Sequence, residues 1–301
     1  MSIAPQDHPA EGPEAGRASL AFVPLIGRHE DPSRASASGL YGAWNHMGKI
    51  SIIIPAYNEE SRVQKAIDEI STFLRSNKAD FEILIVDDGS QDKTSSIVTG
   101  LQSQYEALLL IRLERNRGKG AAVKAGMLAA TGEFLVFTDA DQSTSIDQLP
   151  KLLLPLLGHN IAIAIGSRAA WGARVIQGQG WYRELLGKTF GWLSKMLLVR
   201  GYKDSQCGFK CFRRDAALKI FPHVTSDSVL FDLEALLLAA LHHLKVAEVP
   251  VVWVHNRDSR IVYDVRRSIM TFRELLRIRR QWKVLRPLKV AFSSCQTKKT
   301  T

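Results

Sequence analysis

The stretch Phe134-Leu135-Val136-Phe137-Thr138-Asp139-Ala140-Asp141 runs four apolar residues and a threonine into two carboxylates separated by one small residue. Consecutive apolar side chains suit a strand buried on both faces, the condition met in a parallel sheet with helices above and below it. Carboxylates at i and i+2 just beyond such a strand share a face and converge on one hard cation, which in turn can carry a diphosphate. Taken alone, the same pair also suits a solvated turn at a strand end.

Upstream the pattern repeats. Ile50-Ser51-Ile52-Ile53-Ile54 predicts a buried strand, Glu60 to Arg75 a helix, Phe81 to Val86 a strand and Thr94 to Gln104 a helix; Ala107 to Leu113 predicts a strand and Lys119 to Ala130 a helix. The expected fold class is therefore α/β, a mostly parallel central sheet flanked by helices on both faces, with ligands at the C-terminal edges of the strands. Those edges read Pro55-Ala56-Tyr57-Asn58-Glu59, Asp87-Asp88-Gly89-Ser90, Asn116-Arg117-Gly118-Lys119-Gly120 and Asp139-Ala140-Asp141-Gln142, so polar groups collect on one rim. Asp87 and Asp88 suit hydrogen bonds from a base or ribose, and equally suit capping the helix that follows. Gly118-Lys119-Gly120 supplies backbone N–H groups and a cation for a phosphate or a sugar hydroxyl. It lacks the third glycine of a dinucleotide fingerprint and the Gly-Lys-Ser/Thr of a P-loop.

With 301 residues, 46% of them hydrophobic and 23% charged, the chain has the composition of a globular protein with one main domain plus tails. Residues 1–48, rich in Pro, Gly, Ala and Ser without a sustained period, are expected to form a disordered tail and do not read as a signal peptide. A formal charge of +10 calls for an anionic partner. Much of it lies in Arg266, Arg267, Arg273, Arg277, Arg279, Arg280, Lys283, Arg286 and Lys289, without the aromatic-interleaved pattern of RNA-binding sheets, so no nucleic acid is expected. Cys207, Cys211 and Cys295 offer neither a disulfide framework nor a paired metal-ligand spacing, which fits reduced thiols in a cytoplasmic protein. The apolar region Ile146 to Ile165 is broken by Asp147, Pro150, Lys151, Pro155, His159 and Asn160, which rules against a transmembrane helix.

Ile-Pro-Ala-Tyr-Asn-Glu-Glu at 54–60, Val-Asp-Asp-Gly-Ser at 86–90, Asn-Arg-Gly-Lys-Gly at 116–120 and Thr-Asp-Ala-Asp at 138–141 resemble, in order and spacing, the inverting glycosyltransferases of the GT-A fold. Ile165-Gly166-Ser167-Arg168, Arg183, Asp204-Ser205-Gln206-Cys207-Gly208-Phe209-Lys210, Phe231-Asp232-Leu233-Glu234 and Val249-Pro250-Val251 narrow this. They are similar to the dolichyl-phosphate β-glucosyltransferases and their polyprenyl-phosphate hexosyltransferase relatives, and the similarity runs from about Lys49 to Arg280. The resemblance implies a GT-A domain over 49–265 that moves a hexose from a nucleotide sugar, UDP-glucose first and GDP-mannose second, to a polyprenyl or dolichyl phosphate. It implies a donor site of Pro55, Tyr57, Glu59, Asp87, Asp88, Lys119, Gly120 and Ala140, and Mg²⁺ or Mn²⁺ at Asp139 and Asp141 with Gln142 adjacent. An anionic acceptor oxygen needs a cationic cradle more than a base, and Arg168 and Arg183 are the candidates. Asp232 stands where many relatives keep a catalytic base, or it orients an arginine; Glu234 caps or pairs. His255 to Arg260 resembles a loop that closes over the donor, with Arg260 in place of a lysine.

A lipid-phosphate acceptor requires contact with a bilayer, and the eukaryotic glucosyltransferases begin with a spanning helix that this sequence does not show. Glu184 to Val199 and Ser268 to Phe292 mix apolar with basic residues, as a helix lying in an anionic interface does. Residues 266–301 are accordingly expected to form a basic amphipathic helix and tail that hold the enzyme peripherally on the cytoplasmic membrane face. Two alternatives stand beside this: a nucleotide-sugar enzyme acting on a soluble hydroxyl acceptor, and a catalytically silent nucleotide-binding membrane adaptor.

Overall fold

The computed structural model describes Trp44, Leu193 and residues 47–158, 160–176, 196–254, 265–284 and 287–292. Arg183, the 255–260 loop with Arg260, nearly all of the 1–48 tail and most of the 184–199 segment lie outside the described residues.

The first half alternates as its apolar runs require: β1 (Ile50–Ala56), α1 (Val63–Ser76), β2 (Phe81–Asp87), α2 (Thr94–Leu101), β3 (Leu108–Arg112), α3 (Lys119–Ala129) and β4 (Phe134–Thr138). A turn at residues 60–62 precedes helix α1, and before it the backbone N–H groups of Glu59 and Glu60 bond across to Thr94 Oγ1 (2.8 Å) and Asp92 Oδ2 (3.1 Å). Asn58 enters that turn with φ of 55°.

The second half adds α4 (Leu149–Leu157), β5 (Ile163–Ser167), β6 (Arg174–Ile176), β7 (Val199–Arg200), β8 (Phe209–Arg213), α5 (Arg214–Ile220) and α6 (Phe231–Leu241). It ends with β9 (Lys245–Pro250), β10 (Val252–Val254), α7 (Val265–Gln281), β11 (Leu288–Lys289) and β12 (Ala291–Phe292). Eight strands form one sheet in the order β12-β9-β5-β8-β4-β1-β2-β3. All its neighbours pair in parallel except β8, which runs antiparallel between β4 and β5.

Successive strand residues point to opposite faces, and each face has its own core. Ile53, Leu84, Val86, Leu135 and Phe137 pack with Val123 and Met127 of α3, Leu233 and Leu237 of α6, and Leu275 and Ile278 of α7. Ile52, Ile54, Ile83, Ile85 and Val136 pack with Ile67 and Leu74 of α1, Val98 of α2, and Leu152 and Leu156 of α4. Each such side chain contributes about 1.5 to 3 kcal/mol when fully buried, which is why continuous apolar runs read as two-sided strands. No helix among the described residues is long and apolar enough to cross a membrane. Parallel pairing places the C-terminal ends of β4, β1, β2 and β3 side by side on one rim.

Candidate active site

The rim turns are tied to one another by side chains reaching backbone amides. Asn58 N–H donates to Ser90 Oγ (2.8 Å) and Gln91 N–H to Asn58 Oδ1 (2.8 Å), which joins the turn after β1 to the turn after β2. Asp87 is fully buried; its Oδ1 accepts from Ser90 N–H at 2.8 Å and its Oδ2 from the Ser95 hydroxyl. Asp88 reaches the other way. Its two oxygens accept from the N–H groups of Arg117 and Gly118, each at 2.8 Å, and hold the turn before α3. Burial pushes the Asp88 carboxyl up, and these two bonds offset only part of that effect. Pro55 and Tyr57 lie at the end of β1 and beyond it, with Tyr57 exposed.

Gly118 takes φ of +113°, and a β-carbon on it would stand 2.4 Å from the Asp227 carbonyl oxygen. One residue past Lys119, Gly120 N–H donates to that same oxygen at 2.9 Å. The Lys119 turn is thus clamped between Asp88 and the 226–228 loop. The 226–228 loop is itself held by Glu234, which accepts from the N–H groups of Thr225 (2.9 Å) and Ser226 (2.8 Å) and from the Trp282 indole N–H (2.8 Å).

Lys119 Nζ lies 2.5 Å from Asp139 Oδ1. Burial works against the Lys119 charge, but Asp139, Asp232 and Asp141 outweigh it and raise the pKa, so the ammonium stays protonated. Behind this pair a second one is almost fully buried: Lys210 Nζ donates to Asp232 Oδ1 and to the Cys207 carbonyl, both at 2.6 Å. Both ammonium groups lie near the Phe137 ring, at 5.1 Å and 5.4 Å from its centroid. Burial raises the Asp232 carboxyl, and Lys210 and Lys119 counter that only in part.

Asp141 Oδ1 accepts from Ser143 N–H at 3.0 Å. Gln142 adopts φ of 48°; its amide nitrogen donates to the Asp139 carbonyl at 2.9 Å, and its Oε1 is a buried oxygen without a hydrogen-bond partner. Ala140, between the two aspartates, is buried. Arg168, at the end of β5, places Nε and Nη2 on Asp204 at 2.6 Å and 2.9 Å and its guanidinium 5.5 Å from the Trp253 ring centroid. Burial opposes the Arg168 charge and Asp204 outweighs it, raising the pKa, with a contribution from Asp139.

The structure therefore brings Asp139, Asp141, Lys119 and Asp232 into one charge cluster within the field of Arg168. Asp87 and Asp88 stand on the neighbouring strand edge, engaged with backbone and hydroxyl groups. Three groups at the site were given no role by the sequence: Gly208, Lys210 and Asp204. The signal for Lys210 was present, since a cation amid Phe209, Cys211 and Phe212 in a buried strand requires a buried anion. Gly208 had no such signal, because only the fold brings it against Asp139.

A family model described as glycosyl transferase family 2 matches residues 51–221. Among curated proteins, the chain is similar to the dolichyl-phosphate beta-glucosyltransferase of Homo sapiens, 33% identical over 80% of either chain. It is also similar to that of Drosophila melanogaster, 37% identical over 71% of this chain and 69% of the relative. Among solved structures it resembles mannosyl-3-phosphoglycerate synthase from Rubrobacter xylanophilus, with a TM-score of 0.57 at 20% identity, covering 85% and 82% of the two chains. Glucosyl-3-phosphoglycerate synthase from Mycobacterium tuberculosis, in complex with Mn²⁺, UDP and phosphoglyceric acid, gives a TM-score of 0.54 at 19% identity and 80% coverage of each chain. At such identities the structural likeness shows a shared GT-A-like fold and no more.

Proposed function

The chain belongs to glycosyl transferase family 2, and from that premise we propose that it transfers a hexose, with inversion, to the phosphate of a dolichyl or other polyprenyl carrier. The favoured donor is UDP-glucose, with GDP-mannose second. The names of the relatives at 33% and 37% identity support the glucose and the lipid phosphate.

The observation that carries this proposal is the charge cluster closing the end of β4, where Asp139, Asp141 and Lys119 face one another's fields. The donor set fits Mg²⁺ or Mn²⁺. Two carboxylates two residues apart are hard oxygen ligands, and the Oε1 of the adjacent Gln142 is a buried acceptor without a hydrogen-bond partner; no third His, Cys, Asp or Glu joins the pair among the described residues, so the diphosphate would have to supply further oxygens. When bound, such an ion supplies positive charge for the departing diphosphate. The other roles fall to the chain's own groups. Pro55, Tyr57, Glu59 and Asp87 would face the nucleoside, Asp88 would keep the Lys119 turn in place, and Lys119, with Gly120, would hold a diphosphate oxygen. A phosphate oxygen attacking the anomeric carbon is already anionic near pH 7, so its cradle has to be cationic. Arg168 keeps Nη1 for that purpose, with Arg183 as its companion and Arg260 over the donor. Asp232, committed to Lys210, would hold that ammonium in place beneath the site.

One observation favours a second acceptor class. Two of the Arg168 nitrogens already bind Asp204, which leaves a narrower phosphate cradle than a free guanidinium offers and leaves room for a soluble hydroxyl compound with Asp232 as its base. A single experiment separates the two. Purified protein is incubated with radiolabelled UDP-glucose and Mn²⁺, and with dolichyl phosphate, undecaprenyl phosphate or a water-soluble polyol in parallel. Label is expected in the lipid phase; intact donor and an unlabelled lipid phase would overturn the proposal, and label in the polyol would install the second.

The proposal also places the enzyme at the cytoplasmic face of a membrane, in peripheral contact. Ile269, Met270 and Phe272 are exposed on α7, and that helix carries six arginines against one glutamate. Exposed apolar residues set among arginines suit an anionic lipid surface.

A further inference from the structure

Lys119 occupies the oxygen of Asp139 that a cation would need. Its Nζ lies 2.5 Å from Oδ1, while the other carboxylate oxygen packs close against Gly208, where an added β-carbon would come within 1.9 Å of Oδ2. The ammonium thus sits directly on the Asp139 carboxylate, in a pair that is only partly exposed. The backbone around Lys119 cannot yield to an incoming ion, because Gly118 N–H is bound by Asp88 and Gly120 N–H by the Asp227 carbonyl. Only the side chain can move. Of the two other carboxylates in whose field it lies, Asp232 is already paired with Lys210 at 2.6 Å, and Asp141 is the one the cation itself requires.

We infer that Lys119 is an internal counter-ion that closes Asp139 in the empty enzyme, so that a divalent cation is admitted together with the donor's diphosphate rather than ahead of it. This rests on the reading of Asp139 and Asp141 as metal ligands given above. A cation arriving alone must displace the ammonium and strand it beside the charge that displaced it, and like charges a few ångströms apart repel. A diphosphate removes that obstacle by giving the ammonium a new anion within reach of its flexible four-carbon stem. Cation binding without a nucleotide is thereby kept weak, and the aspartates become a good site only when the leaving group they serve is present.

The test reads binding, not turnover. Mn²⁺ affinity of the full chain, without nucleotide, is measured from the loss of the free-ion electron paramagnetic resonance signal. The proteins are wild type, Lys119→Gln, Lys119→Arg, Lys124→Gln and Asp139→Asn, each checked by thermal melting. Lys119→Gln is expected to bind Mn²⁺ about two- to fivefold more tightly than wild type, the range that a partly exposed ion pair commands. Lys119→Arg, which keeps a cation at the carboxylate, is expected to stay close to wild type. Lys124 lies on the same helix but donates to the carbonyls of Pro222 and Val224, so Lys124→Gln removes an equal charge without opening Asp139 and should leave the affinity unchanged. Lys119→Gln no tighter than wild type, or Lys124→Gln tightening as much, would overturn the inference while leaving the metal reading intact. Asp139→Asn binding Mn²⁺ as wild type does would overturn the metal reading, and the inference with it.

Discussion

At position 208 a single hydrogen in place of a methyl group sets where the Asp139 carboxylate sits, since the β-carbon of any larger residue would meet Oδ2 at 1.9 Å. Gly208→Ala is therefore expected to turn that carboxylate out of line, and misplacing a reacting group by about 1 Å costs on the order of 10²-fold in rate. Gly100→Ala is the control, because nothing stands within 4 Å of its added β-carbon. Steady-state glycosyl transfer should fall for the first and hold for the second; equal rates would show that the carboxylate tolerates the displacement. Residues were unequally legible in the sequence. Asp139 and Asp141 could be found because they end a strand whose two-sided burial is written in four consecutive apolar positions. The clamp on the Lys119 turn could not, because the Asp227 carbonyl and the Asp88 carboxylate meet it from distant parts of the chain, and no local spacing encodes that meeting.

At the scale of elements, β1 to β4 and the helices between them could be read directly, since runs of apolar residues alternating with turn signals have few other solutions. Strand β8 could not be placed in the same way. Phe209-Lys210-Cys211-Phe212 has the composition of any buried strand, and its antiparallel insertion between β4 and β5 depends on pairing with residues far away in sequence. Helix α7 changes its surroundings along its length: Leu275 and Ile278 enter the core, whereas Ile269, Met270 and Phe272, nearer its N-terminal end, stay outside, Met270 with 68% of its surface exposed. Replacing Ile269, Met270 and Phe272 together by Ser should leave the melting temperature nearly unchanged, as exposed substitutions do. In flotation with phosphatidylglycerol vesicles the same variant should bind at least about tenfold more weakly, given about 1.5 to 3 kcal/mol for each large apolar side chain withdrawn from water. Undiminished flotation would show that this face does not meet lipid.

For the molecule as a whole, acid stability depends on an anion placed inside the sheet. Glu82 pairs in register with Ser51, and its carboxylate accepts from Ser51 Oγ (2.6 Å), Lys49 Nζ (2.8 Å), Thr131 N–H (2.6 Å) and Thr131 Oγ1 (2.8 Å), joining the starts of β1 and β2 to the turn before β4. Burial would push this carboxyl up; Lys49, Ser51 and Thr131 overcome it and lower the pKa from 4.5 to about 2. A carboxyl depressed by folding stabilises fully above its unfolded value, so the contribution is complete above pH 4.5 and is lost as the pH falls through about 2. Urea unfolding across that window should show wild type losing roughly 2 to 3 kcal/mol more than Glu82→Gln, and parallel curves would refute the assignment. The position of β8 in the sheet bears on a different matter, the order in which the chain can assemble. Strands β3, β2, β1 and β4 close among themselves using residues 50–138, but β5 touches β4 only through β8, which comes later in the chain than either. During synthesis the completed β1–β4 half must therefore wait with one edge of β4 unpaired until residues 209–213 have left the ribosome, and an unpaired strand edge of that kind is exposed to wrong pairing for as long as the interval lasts.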